Sequence, residues 1–333
     1  MFGPALAGLL AGCAAPDGST GAGSQPVLPG YRVVADLPLP GGTSRWGYQV
    51  LDGRAGRLYV AHPGAGQVVV VDTAQLRVAA TVPDIDTVQG LALAPVLGRL
   101  YASATSRNEI AVIELASARV VARVTAGSGP DSLTYVSESG SLLVSDAAGT
   151  GETVVDVKTH RPRARVELGT GLGDSQYDSW TGRVLVAVGG REELVALDPA
   201  SAAVIARYRL PGCQEAHGVR MDVSSTDRAF VACAGNARLL AVDLATGRVS
   251  APLEVGTGPD ELALDPALHR LYVASQSGLL TVVDTAGPDP VVLVRGDVGP
   301  NAHSVAVDPD THLLYLPVAN VGGRPVLRVL APL

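Results

Sequence analysis

"RLYVAHPGAGQVVVVDTAQLRVAATV", residues 57–82, holds three short apolar runs separated by glycine, proline and polar residues. Runs of about six residues, rich in valine and bounded by turn formers, read as β-strands. The stretch recurs along the chain. Triplets of the Leu-Tyr-Val type begin at Leu58, Leu100, Leu142, Val184, Ala229, Leu271 and Leu314, at intervals of 42, 42, 42, 45, 42 and 43 residues. Each triplet follows an alternating run (LALAP, ELALDP, HSVAVDP) and precedes one that ends in an acid (VVVVD, IAVIE, LVALD, LLAVD, LTVVD). A fourth run, such as "ARVVARV" or "GRVSAPLEV", completes the unit. A fixed period of this kind marks a repeat architecture. Four strands of about six residues with tight turns fill roughly 40 residues, the size of one propeller blade. Helical periodicity is missing. The expected fold is therefore all-β: a seven-bladed β-propeller of four-stranded antiparallel blades.

The seventh copy stops after its third strand, "VLRVLAPL", while the start of the chain carries a surplus run, "YRVVADLPLPG", Tyr31 to Gly41, ahead of the first inner strand "WGYQVLD". That run matches an outer strand. It is expected to complete the last blade and close the ring, removing two exposed sheet edges. The propeller then spans residues 31–333. Residues 14–30, "AAPDGSTGAGSQPVLPG", are too small and polar to pack a core and read as a flexible tether. Residues 1–13, "MFGPALAGLLAGC", finish as an export signal does, with an apolar run and small residues.

Two resemblances attach to these residues. "LAGC", Leu10 to Cys13, resembles the lipobox of bacterial lipoproteins, although no basic segment precedes it; the resemblance implies lipidation of Cys13. "RLYVAHPGAGQVVVVDTAQLRVAATV" and "RLYVASQSGLLTVVDTAGPDPVVLV" resemble the repeats of the YVTN-repeat, YncE-like β-propeller proteins, over residue 31 to the C-terminus. Members of that family are largely bacterial envelope or secreted proteins. The implied setting is extracytoplasmic, as a cell-membrane lipoprotein or a secreted protein, with the membrane met only through the N-terminal lipid. One branch of the family binds nucleic acid. This chain has a formal charge of −7, a single lysine, Lys158, and no basic cluster, so nucleic acid is not an expected partner.

Chemistry is sought where loops converge. His62, His217 and His303 fall on the upper face, and His160, His269 and His312 on the lower. His269 and His312 stand two residues before their triplets, where Gly56, Gly98, Gly140 and Gly182 stand in other copies, so each is expected to be turn punctuation. Asp72, Glu114, Asp198, Asp243 and Asp284 close third strands and are expected to accept hydrogen bonds in the turns that follow. About eleven residues before each triplet lie Gly47, Gln89, Asp131, Gly173, His217, Asp260 and His303, one per blade, which should ring the upper mouth of the channel. Trp46 and His62 are expected beside that ring. His217, Asp260 and His303 on successive blades form a set suited to a divalent metal such as zinc, manganese or iron. The competing expectation is a polar rim that satisfies loop amides and channel water.

Cys213 and Cys233 both belong to the fifth copy and are expected to form a disulfide; a Cys213, His217 and Met221 spacing also resembles copper sites. Asn108, Asn236 and Asn320 are loop hydrogen-bonding residues. The sequence carries no Gly-x-Ser-x-Gly, His-Glu-x-x-His or phosphate-cradling motif, and no helix follows the glycine-rich "GTGLGDS". The expected function is a monomeric binding or scaffolding module that presents its upper face to a small molecule or protein. The alternative is a metal-dependent hydrolase or lyase, like propeller lactonases or streptogramin lyases, using His217, Asp260 and His303.

Overall fold

The second and third strand of each repeat are apolar on both faces, so each must be covered from both sides. Stacking blades around an axis does this. In blade one, Leu58 and Val60 of strand Arg57–His62 pack with Tyr315 and Leu327 of blade seven. Tyr59 and Ala61, on the opposite face, pack with Leu100 and Ala102 of blade two. The same alternation gives each of the seven blade interfaces its own cluster of buried side chains. Outer strands alternate exposed and half-buried residues, as in Arg119–Thr125, because only one face meets a neighbour.

A computed structural model describes residues 27–222 and 227–333, with Met1 and Gly3. Its strands form seven four-stranded sheets, each with an inner, second, third and outer strand. In blade two these are Val88–Ala94, Arg99–Ala104, Glu109–Glu114 and Arg119–Thr125. The last blade is assembled from both ends of the chain. Strand Tyr31–Pro38 lies antiparallel against Arg324–Pro332, Tyr31 opposite Pro332 and Pro38 opposite Val326. Arg328 clamps Asp36 across this seam, Nε to Oδ1 at 2.8 Å and Nη2 to Oδ2 at 2.7 Å. The expected ring closure is thus the observed one. Among the described residues no helix is long and apolar enough to cross a membrane. The expected signal, Cys13 and most of the tether lie outside the described residues.

The turn positions follow the sequence reading. His269 and His312 adopt left-handed φ values of 51° and 61°, matching Gly56, Gly98, Gly140 and Gly182 at 61° to 71°. His312 does more than turn the chain, because its Nδ1 lies 2.6 Å from Asp265 Oδ2 of blade six. Asp72, Asp198, Asp243 and Asp284 accept backbone N–H groups two or three residues on. Glu114 instead accepts from the Ser117 hydroxyl and from Arg99. Asn108 and Asn320 each accept a loop N–H at 2.8 Å, and Asn236 donates to the Gly212 carbonyl at 2.9 Å. Cys213 and Cys233 form the expected disulfide, which leaves no thiolate for a copper site with His217 and Met221.

Candidate functional site

Inner strands of neighbouring blades nearly touch at the upper mouth. Gly90 lies against the Asp131 carbonyl and Gly218 against that of Asp260, approaches that leave no room for a Cβ. Most inner strands also change register here: between Val88 and Leu91, Pro130 and Leu133, Leu172 and Ser175, Ala216 and Val219, Pro259 and Leu262. Such bulges break strict alternation and re-aim side chains. Consecutive residues, such as Gly173 with Asp174 and Asp260 with Glu261, therefore both serve the channel.

Asp260 is the centre. It is 3% exposed; its Oδ1 lies 3.2 Å from His217 Nε2, and its Oδ2 lies 3.4 Å from Arg45 Nη2 and 3.9 Å from His303 Nε2. Tyr48 donates to Asp174 Oδ1 at 2.5 Å, and its oxygen lies 3.3 Å from His217 Nε2. His303 Nδ1–H donates to the Asn301 carbonyl at 3.0 Å, which leaves Nε2 to accept the Arg45 Nε–H at 3.1 Å. That network assigns His303 a neutral tautomer.

The two histidines consequently differ in charge. Burial works against an imidazolium at His217, but the hydrogen bond to Asp260 and the charges of Asp260, Asp174 and Asp131 override it and push the ring up to about 10. At His303 burial prevails, aided by the Arg45 charge, and the pKa falls. Burial would raise Asp260; the bond from His217 and the cationic surroundings instead bring it to about 2. Burial together with neighbouring acids lifts Asp174 to about 7, and burial lifts Asp131. The positive charge facing Asp260 is thus supplied by His217 and Arg45. Among the described residues no group of three or more His, Cys, Asp or Glu side chains is arranged to hold a metal ion.

Asp131, His217, Asp260 and His303 therefore come together as the spacing predicts. Gln89 lies at the rim, its Oε1 buried without a partner. Trp46 and His62 form a separate buried pair, stacked at 3.9 Å and 11°, with Ser44 Oγ 2.8 Å from His62 Nε2. Trp46 thus covers an imidazole with its face. This pair pins the loop after the N-terminal strand, and Arg45, between Ser44 and Trp46, reaches Asp260 and His303 from it. Sequence reasoning missed Arg45, Tyr48 and Asp174. Tyr48 and Asp174 each follow a ring position by one residue, which is the signal that would have found them. Arg45 comes from a connector that occurs once.

No model of a known protein family matches the chain, and no curated protein matches it. Among solved structures it is similar to Kuenenia stuttgartiensis hydrazine synthase, with a TM-score of 0.70 and 16% identity over 93% of this chain and 98% of that one. At that identity the likeness shows the propeller fold alone.

Proposed function

We propose that the chain is an extracytoplasmic binding module of the YVTN-repeat, YncE-like kind, lipid-anchored or secreted, which holds a small polar molecule at the upper mouth without turning it over. The observation that carries this reading is the mutual engagement of the reactive groups around Asp260. His303 has its one lone-pair nitrogen capped by Arg45, and His217 is already protonated, so neither imidazole is a free general base near neutrality. What faces a ligand is a fixed polar surface: the 44% exposed guanidinium of Arg45 and the 29% exposed imidazole of His217, braced on the buried carboxylate of Asp260. Such a surface suits a molecule carrying acceptors. The Cys213–Cys233 disulfide and the "LAGC" segment support the extracytoplasmic setting.

The test is a thermal-melt screen of the purified protein against amino acids, sugars and small organic acids, with Asp260→Asn as control. A ligand at about 100 times its Kd stabilises by about 2.7 kcal/mol, a shift of several degrees. Such a shift in the wild type, absent from Asp260→Asn, is expected. If no compound shifts the wild type, and protein purified without chelator holds stoichiometric metal that the His217→Ala/His303→Ala double variant loses, the metal-dependent enzyme replaces this reading.

A further inference from the structure

Below the mouth the channel holds a second charged position. Arg220, on inner strand Ala216–Met221 of blade five, and Glu261, on Pro259–Asp265 of blade six, line both an upper cavity of about 260 Å³ and a lower one of about 410 Å³. The lower cavity extends to Arg54 and Asp310 near the bottom turns. Arg220 feels the charge of Glu261 but forms no hydrogen bond or ion pair with any described residue through its side chain. Glu261 is engaged elsewhere: its carboxyl accepts the Ser304 hydroxyl and, at 3.2 Å, the Val305 N–H. Burial also favours its neutral form.

A guanidinium presents five N–H donors and stays charged. Arg220 is half-buried on the channel wall, and a guanidinium partly withdrawn from water without an acceptor is unfavourable, so the space beside it suits a group that supplies negative charge and lone pairs. Two polar side chains of the upper cavity also have donors to spare. Gln176 uses its carbonyl oxygen to accept the Met221 N–H at 2.7 Å, leaving its NH2 group as donor. Ser132 Oγ accepts the Ser175 N–H at 3.1 Å, leaving its O–H to donate. The second acid of the upper cavity besides Glu261, Asp174, is bound by Tyr48. We propose that Arg220 anchors an anion site inside the central channel, and that its ligand is a small carboxylate, held by paired N–H···O bonds from the guanidinium. This site goes beyond the mouth described above and does not depend on it.

Formate is the probe. Melts of the full chain in sodium formate, set against sodium chloride at equal ionic strength, are expected to show a saturable rise in Tm, because a planar carboxylate matches the guanidinium fork better than a sphere does. The rise should vanish in Arg220→Met and shrink in Arg220→Lys. In chloride, Arg220→Met should melt no lower than the wild type, since it removes a half-buried charge that lacks a partner among the described residues. A formate response equal in both proteins, or absent from the wild type, would overturn the proposal. Should Arg220→Met fail to fold, crystals of the wild type grown in sodium formate decide: a planar ion paired with the guanidinium is expected, and water alone there overturns it. Asp260→Asn, which dismantles the mouth, is expected to keep the formate response, so the two sites can fail separately.

Discussion

Asp260 faces two imidazoles, and what separates them is what each touches besides it. His217 meets more carboxylates, while His303 meets a carbonyl on one nitrogen and a guanidinium on the other. The consequence for stability has a definite sign. A group whose folded pKa is raised stabilises fully below its unfolded value and loses that contribution as pH climbs through the folded one. His217 falls in this class, from 6.5 to about 10, and so do the buried acids Asp174, from 3.8 to about 7, and Glu152, from 4.5 to about 8. Asp260 runs the other way: its contribution is present above 3.8 and is lost as pH falls toward about 2. Glu152 is the cleanest probe, because it lies in blade three with only Ser145 Oγ, at 2.6 Å, bonded to one oxygen and nothing bonded to the other. Melting temperature is therefore expected to peak near about pH 4 and to decline through about pH 8, and Glu152→Gln should reduce that decline between about pH 4.5 and 8 while leaving the acid limb and the shares of Asp174 and His217 in place. Calorimetric melts across that range check it; a Tm that climbs between about pH 5 and 8 contradicts the assignment.

Inner strands set the spacing that brings these groups together, and glycine sets how closely the strands approach. Gly218 follows His217 and lies against the Asp260 carbonyl, so an added methyl there must push two blades apart. Gly98, in a lower turn at φ 61°, has open space around its missing Cβ, and alanine there meets only the backbone penalty. Gly218→Ala is expected to lower stability by about 2–3 kcal/mol and to separate His217 from Asp260, whereas Gly98→Ala costs about 1 kcal/mol and leaves the mouth intact. Denaturant melts with NMR titration of the His217 ring check both, and equal costs would mean that the inner strands are not in close contact at the mouth. The same elements explain what the sequence reveals. Strands and turns are legible because every blade buries the same positions, and His217, Asp260 and His303 are legible because each holds the same offset from its triplet. Tyr48, Asp174 and Glu261 were hidden because bulging and close packing at the mouth bring a second residue per strand to the channel, where strict alternation assigns one. Arg45 was hidden for a different reason. A repeat exposes what recurs, and the segment that delivers Arg45 has no counterpart in other blades.

At the scale of the whole ring, each blade is covered by its two neighbours, so seven interfaces are sufficient only if the last one closes. Closure falls to a single strand. Tyr31–Pro38 covers the edge of Arg324–Pro332, a strand whose side chains are mostly buried, and the Asp36–Arg328 pair lies across the seam. The strand also leads directly into the loop that carries Arg45, so the closure of the disc and the charge at its mouth depend on one segment. Removing residues 1–38 is expected to expose a long unpaired edge, lower the melting temperature, and promote edge-to-edge association. A synthetic peptide spanning residues 27–41 should restore the melting temperature in a concentration-dependent way, because an extended segment adds to a free edge through main-chain hydrogen bonds. Paired melts and light scattering of the truncated chain, with and without peptide, read both effects. A truncated chain that melts like the full one, as a monomer, would show that the first strand decorates a ring already closed without it.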